Sequence, residues 1–239
     1  MKIVADLHVH TIASGHAYNT ILEMTQSAGE KGLELMAVTD HGPEMPGGPH
    51  RHYFSNLRVL PTNINGVEVL KGVEANILNC EGNLDLENRY LEKLDIVLAG
   101  FHEDCIRPRS VEDNTATLIK VIQNPFVNVI VHPGNPRFKV DYDRVVAAAA
   151  DHHVAVEINN GSLTVTREGS EENCREIAKL CKKYRAVVSL GSDAHWHQLV
   201  GEFPKAMELL EEAGISEEYV LNTSVGRIKE FLRGKKHNG

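Results

Sequence analysis

The sequence predicts a parallel α/β barrel, on two observations. Short β-rich runs alternate with helical or loop segments seven times along the chain, the order that builds a parallel sheet covered by helices. Histidines and carboxylates then follow the carboxyl end of one predicted strand after another. In a closed barrel those ends meet on one rim, where barrel enzymes carry their active sites, whereas an open sheet spreads them across its width. A barrel with its site at the C-terminal ends of the strands is therefore the expected architecture.

Strands are expected at 2–6, 34–39, 67–72, 94–100, 128–131, 154–158 and 186–190. Most read as continuous apolar runs, Val127-Asn128-Val129-Ile130-Val131 for example, as strands buried on both faces do. After the first strand a helix is expected over 19–31, stopped by Gly32. The second strand leads into Gly42-Pro43-Glu44-Met45-Pro46-Gly47-Gly48-Pro49, which reads as a long loop of the kind that tends to carry function. Beyond the fifth strand, 142–152 reads as a helix with Asp141 as its N-cap. Beyond the sixth, 170–184 carries Glu171 and Glu172 in its first turn and Lys182 and Lys183 in its last, so its charges complement the helix dipole. No linker, internal repeat or low-complexity segment divides the chain, and residues 1–239 are expected to form one barrel domain. The Lys235-Lys236-His237 tail reads as frayed and solvated.

With 42% hydrophobic and 24% charged residues, the 239-residue chain is near the globular average, which excludes a collagen-like, disordered or membrane-embedded protein. Its 33 acids outnumber its 25 bases, for a net charge of −8, and that balance opposes a broad basic surface for nucleic acid. The first apolar run reaches Asp6 too soon for a secretory signal, and no run is long enough to span a bilayer. A cytoplasmic protein without a membrane partner is expected. Cys80, Cys105, Cys174 and Cys181 contain no Cys-x-x-Cys pair and read as reduced thiols. Cys174 and Cys181 are seven apart, which places them on one helix face, packed in the core.

The 13 histidines point to chemistry through their positions. His8 and His10, spaced i, i+2 at the end of the first strand, leave on one face. His41 follows the second strand, Glu74 closes the third, His102 follows the fourth and His132 the fifth. Asp193 and His195 follow the seventh. Imidazoles mixed with carboxylates are the ligand set of zinc, manganese or iron, and this set is too large for one tetrahedral ion.

Several motifs in register resemble one family. Asp6-Leu7-His8-Val9-His10-Thr11, Thr39-Asp40-His41, Gly72-Val73-Glu74-Ala75-Asn76, Gly100-Phe101-His102, Val131-His132-Pro133 and Gly191-Ser192-Asp193-Ala194-His195 are similar, in order, to those of the PHP (polymerase and histidinol phosphatase) family. Ser14-Gly15-His16-Ala17-Tyr18, Glu157-Ile158-Asn159-Asn160 and Leu221-Asn222-Thr223-Ser224 add a resemblance to its small single-domain bacterial phosphatases of the YcdX type. The resemblance implies a distorted (βα)7 TIM-like barrel holding three divalent metal ions, commonly Zn2+, with Mn2+ or Fe2+ as alternatives. It implies one ion on His8, His10, Glu74 and Asp193, with Glu74 bridging to a second on His102 and His132, and a third on His16, His41 and His195. A homo-oligomer is also plausible by family analogy.

The implied reaction is hydrolysis of a small phosphate monoester by a hydroxide bridging two ions, with Glu74, Asp193 and His102 as the residues nearest the chemistry. Three divalent ions against two ligand carboxylates would make the pocket locally positive in an acidic protein. Asp6 and Asp40 are candidates to orient ligand imidazoles. Ser14, Asn76, Asn135, Arg137, Asn159 and Asn160 lie in loops after strands, where they could touch phosphate or substrate, with Arg137 as the candidate oxyanion partner. His50, His52 and His197 could reach the mouth of the site, while His152, His153 and His237 have ordinary helix-end or tail roles.

Two other classes compete. An amidohydrolase-like hydrolase or deaminase also begins with His-x-His, but typically carries a bridging acid after its fourth strand and a lone Asp after its last. This chain has His102 and Asp193-x-His195 there. A non-catalytic metal-binding protein is opposed by the open coordination positions such a ligand count leaves. Within the resembled family, exonuclease activity would call for an attached polymerase or a basic track, and neither is visible. Histidinol phosphate remains an open substrate, because these residues do not specify the leaving alcohol.

Overall fold

The apolar runs pair in chain order. In the computed structural model, which describes residues 1–236, they form β1 (Ala5–Val9), β2 (Leu35–Val38), β3 (Asn63–Ile64), β4 (Val67–Asn76), β5 (Ile96–Gly100), β6 (Val129–Ile130), β7 (Ala155–Asn159) and β8 (Val188–Gly191). The sheet runs β1-β2-β4-β5-β6-β7-β8 with every one of these pairs parallel. β3 is an addition to the expected set and pairs antiparallel with β4. Its turn, Asn65-Gly66, has φ of 55° and 81°, the left-handed pair that two-residue hairpins favour.

The helices are α1 (Ile21–Glu30), α2 (His52–Asn56), α3 (Asn88–Leu91), α4 (Val111–Ile122), α5 (Tyr142–Asp151), α6 (Gly161–Thr164), α7 (Ser170–Tyr184), α8 (Pro204–Ala213) and α9 (Val225–Lys236). Local chemistry starts them where expected. Thr20 and Glu23 form a capping box on α1, and Asp141 accepts the Arg144 N–H at 3.1 Å to cap α5. The acidic start and basic end of α7 are also present, and Cys174 and Cys181 are both buried along it as free thiols. Lys235 and Lys236 end α9 rather than fraying from it, and His237 lies outside the described residues. No helix among the described residues is long and apolar enough to cross a membrane.

Strand limits differ from the expected ones where polar residues find partners. β1 starts at Ala5 and runs to Val9, so His8 lies within it, because Asp6 is fully buried accepting the backbone N–H of His8, Ser192 and Gly201. β4 continues through Glu74 to Asn76 for the same reason. β6 shrinks to two residues because the Asn128 side chain, not a ladder carbonyl, accepts the Val97 N–H at 2.8 Å.

Alternation along the strands divides the molecule. Leu35, Ala37, Leu70, Ile96, Leu98 and Ala155 pack inside the barrel, where Ile228 and Phe231 of α9 close its lower end. The intervening Val73, Val97, Ala99, Val156 and Ile158 pack outward under the helices. The same inward phase carries Glu74 and Asn76 on β4 and Glu157 and Asn159 on β7. Two irregularities turn consecutive residues inward. The β1 register shifts between Asp6 and Val9, so both Leu7 and His8 face the interior while Val9 packs outward against Met24 and Ala28. His132 has φ of 35°, which turns it inward directly after Val131.

Closure between β1 and β8 is made by few bonds. At the upper end Asp193 N–H donates to His8 O and His10 N–H to Ala194 O, each at 3.0 Å. Lower down, the fully buried Asn222 does the work of a missing ladder. It accepts Leu190 N–H at 2.7 Å and donates to Ala5 O at 3.0 Å and Leu190 O at 2.9 Å. Replacing it leaves buried backbone groups unpaired on both strands. Asn222→Ala should cost about 2–4 kcal/mol, read as a melting temperature lowered by roughly 5–15 °C; an unchanged thermal transition would show that closure does not depend on this side chain.

Candidate metal centre

At the carboxyl ends of the strands the inward side chains change from apolar to ionisable. Glu74 lies at the middle, with no exposure to solvent. Its Oε1 is 2.7 Å from His132 Nε2 and 3.0 Å from His102 Nε2. Its Oε2 is 2.8 Å from His41 Nδ1, 3.3 Å from His8 Nε2 and 3.4 Å from His10 Nε2. Asp193 Oδ1 completes the far side, 3.2 Å from His10 Nε2 and 3.6 Å from both His8 Nε2 and His195 Nδ1. His16, exposed at the mouth, stacks on His41 and His195 with ring centroids 5.0 and 4.8 Å away. The eight residues singled out by strand-end position, and His16, which the resemblance added, meet in one cluster.

The polar groups of this cluster do not satisfy one another. His41 Nδ1, Glu74 Oε2 and His102 Nδ1 are buried without a hydrogen-bond partner, although the first two lie 2.8 Å apart as an ion pair. Three sets of potential ligand atoms fall within 4.8 Å of one another: His8, His10 and Asp193; His41, Glu74 and His102; and His10, His41 and His195. Orphaned nitrogen and oxygen atoms converging on shared space fit a borderline divalent cation such as zinc. His41 joins two of the sets, linking the groups that the resemblance implied as the second and third sites.

The surrounding residues correct several expectations. Glu157, not Asp6, orients His8: its Oε1 accepts His8 Nδ1–H at 2.7 Å, so that Nε2 faces the cluster, 3.0 Å from His10 Nε2. Its Oε2 accepts the His132 backbone N–H at 2.7 Å and Asn159 Nδ2–H at 3.0 Å. Asp40 reaches an imidazole only through Ser14, which contacts His10 Nδ1 at 3.0 Å. Asn76 donates to Asp85, Asn135 accepts the Arg137 N–H in a turn, and Asn160 caps the start of α8. Each of those three asparagines thus makes a local contact. Arg137 is exposed and pairs with Glu103 at 3.0 Å. Arg167, absent from the sequence-based set, instead places Nη1 2.9 Å from Asp193 Oδ2. His50 lines a cavity of about 450 Å³ beside the 42–49 loop, the His52 ring lies tilted against His50 at the surface, and His197 packs on Trp196.

Charge sets the protonation pattern. Burial opposes ionisation of Glu74, but the imidazoles of His41, His102 and His8 outweigh it and hold the carboxyl well below its ordinary range. Burial of Asp193 is likewise outweighed by His8 and Arg167. Burial followed by His195 and His41 keeps His10 well below the usual imidazole value, and burial followed by Arg167 pushes His132 down to about 3. His8 is the exception: burial lowers it, but Glu157, Glu74 and Asp193 outweigh burial and hold it well above that value.

A family model described as the PHP domain matches residues 6–235. The chain belongs to the PHP family. A probable phosphatase of Thermoanaerobacter sp. (strain X514) is 52% identical over 237 residues, covering 99% of this chain and 97% of its own. A probable phosphatase of Acetivibrio thermocellus is 50% identical over 236 residues, with coverage of 99% and 98%. Among solved structures, the histidinol phosphate phosphatase of Lactococcus lactis, in complex with zinc, L-histidinol and phosphate, superposes with a TM-score of 0.60 at 16% identity, covering 89% of this chain and 94% of that one. At that identity the likeness supports the fold of this PHP chain.

Two tests follow from the packing and the protonation. A Cβ at Gly191 would lie 2.0 Å from Glu157 Oε1 and 2.8 Å from His8 Cβ. Gly191→Ala should therefore displace the His8 support and lower metal retention by roughly 10–100-fold, measured by elemental analysis after dialysis against a chelator. A cation must displace the proton that His8 holds above its usual pKa, so retention should weaken as pH falls and metal uptake near neutral pH should release protons. Calorimetric titration in buffers of different ionisation enthalpy reads that release; equal heats in all buffers would contradict it.

Proposed function

We propose that this protein is a metal-dependent phosphatase that hydrolyses small phosphate monoesters at a trinuclear site. The observation that carries the reading is the placement of Glu74, with one oxygen toward His102 and His132 and the other toward His8, His10 and His41. In this reading the ligands are His8, His10, His16, His41, Glu74, His102, His132, Asp193 and His195. Zinc is the favoured ion on ligand chemistry, and the zinc in the Lactococcus structure is consistent with it. Divalent ions held there would supply Lewis acidity toward a phosphoryl group and acidify a bound water to serve as nucleophile.

The chain's own residues do the rest. Glu157 holds His8 in the tautomer that presents Nε2 to the cluster. Arg167 holds the second oxygen of Asp193 and brings a fixed positive charge to the rim of a pocket meant for an anion. The fully buried position of Glu74 and His10 keeps bulk water from competing at the inner ligands. His16, exposed beside His195, lies on the side from which substrate enters.

Metal-loaded protein should release inorganic phosphate from members of a panel containing histidinol phosphate, nucleotides, sugar phosphates and an aryl phosphate. Full metal occupancy without phosphate release from any of them would overturn the reading, and ammonia release instead would favour a deaminase. Glu74→Gln should abolish turnover together with metal retention. Arg167→Ala should lower turnover by roughly 10²-fold with metal retained, whereas Arg137→Ala should leave it unchanged. Equal effects of the two arginine substitutions would remove Arg167 from the site.

A further inference from the structure

Ser14 stands between a proposed metal ligand and a buried acid. Its Oγ is 2.7 Å from Asp40 Oδ1, 3.0 Å from His10 Nδ1 and 3.2 Å from the His41 backbone N. Asp40 is fully buried and accepts from Thr11 N–H at 2.6 Å, Thr11 Oγ1–H at 2.9 Å and the Tyr53 hydroxyl at 2.6 Å, besides Ser14. Four donors surround this carboxylate, so it acts as acceptor only. A hydroxyl has one proton, and Ser14 gives it to Asp40. Ser14 must then accept from both of its other neighbours, which requires the proton of His10 to be on Nδ1. The lone pair of His10 is thereby left on Nε2, the atom 3.2 Å from Asp193 Oδ1 and 3.4 Å from Glu74 Oε2.

Tyr53 brings in a distant part of the chain. It belongs to α2, the helix at the far end of the long 42–51 segment that lines the 450 Å³ cavity through Pro43, Glu44, Gly48, His50 and Arg51. The middle of that segment passes close to Ser14: a Cβ on Gly15, the next residue, would lie 2.3 Å from Gly47 O. The segment thus lies against Gly15 at Gly47 and leads into Tyr53, whose hydroxyl donates to Asp40.

We propose that Tyr53, Asp40 and Ser14 are positioning residues, forming a relay that fixes the Nδ1–H tautomer of His10 and makes metal retention at His10 depend on the docking of α2, into which the 42–51 segment leads. The proposal rests on the reading of the cluster as a metal centre. It adds that a residue of α2 with no place among the nine ligands controls one of them, and it assigns Ser14 to His10 rather than to substrate.

The test uses the protein carrying Ser14→Ala, Tyr53→Phe or, as a control outside the segment, Arg144→Ala, which loses a contact to Glu112 but none in the relay. Metal content after equilibration with graded chelator should fall by roughly 10–100-fold in affinity for Ser14→Ala and by about 10-fold for Tyr53→Phe, with Arg144→Ala matching the wild type. Nitrogen-15 spectra of the histidine rings give a readout that mere loosening would not: His10 should show a protonated Nδ1 in the wild type and lose that fixed tautomer in Ser14→Ala. Wild-type retention in both relay variants would overturn the proposal, as would an Nε2–H tautomer of His10 in metal-free wild-type protein. A wild type that binds no metal at all would instead defeat the metal-centre reading, and the spectra would still decide whether Ser14 sets the His10 tautomer.

Discussion

A carboxylate with no solvent exposure, Glu74, faces five imidazoles, and the rest of the structure depends on keeping it there. An ionised acid in such a place is costly unless fixed partners surround it. Those partners come from the carboxyl ends of β1, β2, β5 and β6, and no pair of neighbouring strands could supply them alone. Curving the parallel sheet until its first and last strands meet is what brings all of them within 3.4 Å of one side chain. The space is tight enough to dictate composition nearby. A Cβ at Gly100 would lie 2.7 Å from His132 Cε1, so the strand must be bare where that ring passes.

The barrel interior is layered by the same demand. On β2 and its extension the inward positions run Leu35, Ala37, Thr39, His41, and on β5 they run Ile96, Leu98, Gly100, His102. The apolar lower layer, sealed by α9, gives the hydrophobic stability. The upper layer is polar and is held in place by a second ring of polar side chains, Glu157, Asn159, Ser14 and Asp40. That second ring satisfies the nitrogens of His8 and His10 that face away from the centre, which leaves their inward nitrogens as the open ones. Left-handed backbone at His132 (φ 35°) and Asp193 (φ 57°), unusual for residues other than glycine, falls within this upper layer, where surrounding bonds over-determine the conformation.

Much of this was legible because strands impose a period of two and a parallel barrel gives all strand ends one address. His8 with His10, and Asp193 with His195, were readable as pairs, and His41, Glu74, His102 and His132 as strand-end residues. The limits of β1 and β6 were less legible. Asp6 and Asn128 break apolar runs in sequence, yet Asp6 is satisfied within β1 and Asn128 replaces a ladder bond beside a shortened β6. Arg137 and Arg167 both lie in loops after strands, but Glu103 pairs with the first at the surface and Asp193 draws the second inward. Asp6 shares the i, i+2 spacing with His8 but faces backbone amides, whereas Glu157, at the end of a strand far away in sequence, reaches the His8 ring.

The sequence by itself therefore determined the parallel barrel, the rim that carries the ionisable residues and eight of the side chains that gather there, because periodicity and strand-end position are local properties of a chain; His16 came from the resemblance. Only the tertiary structure decided which acid holds which imidazole, which arginine enters the site, and that Tyr53 reaches Asp40. Those choices depend on distances between segments far apart in sequence, where a hydrogen bond forms or fails within half an ångström.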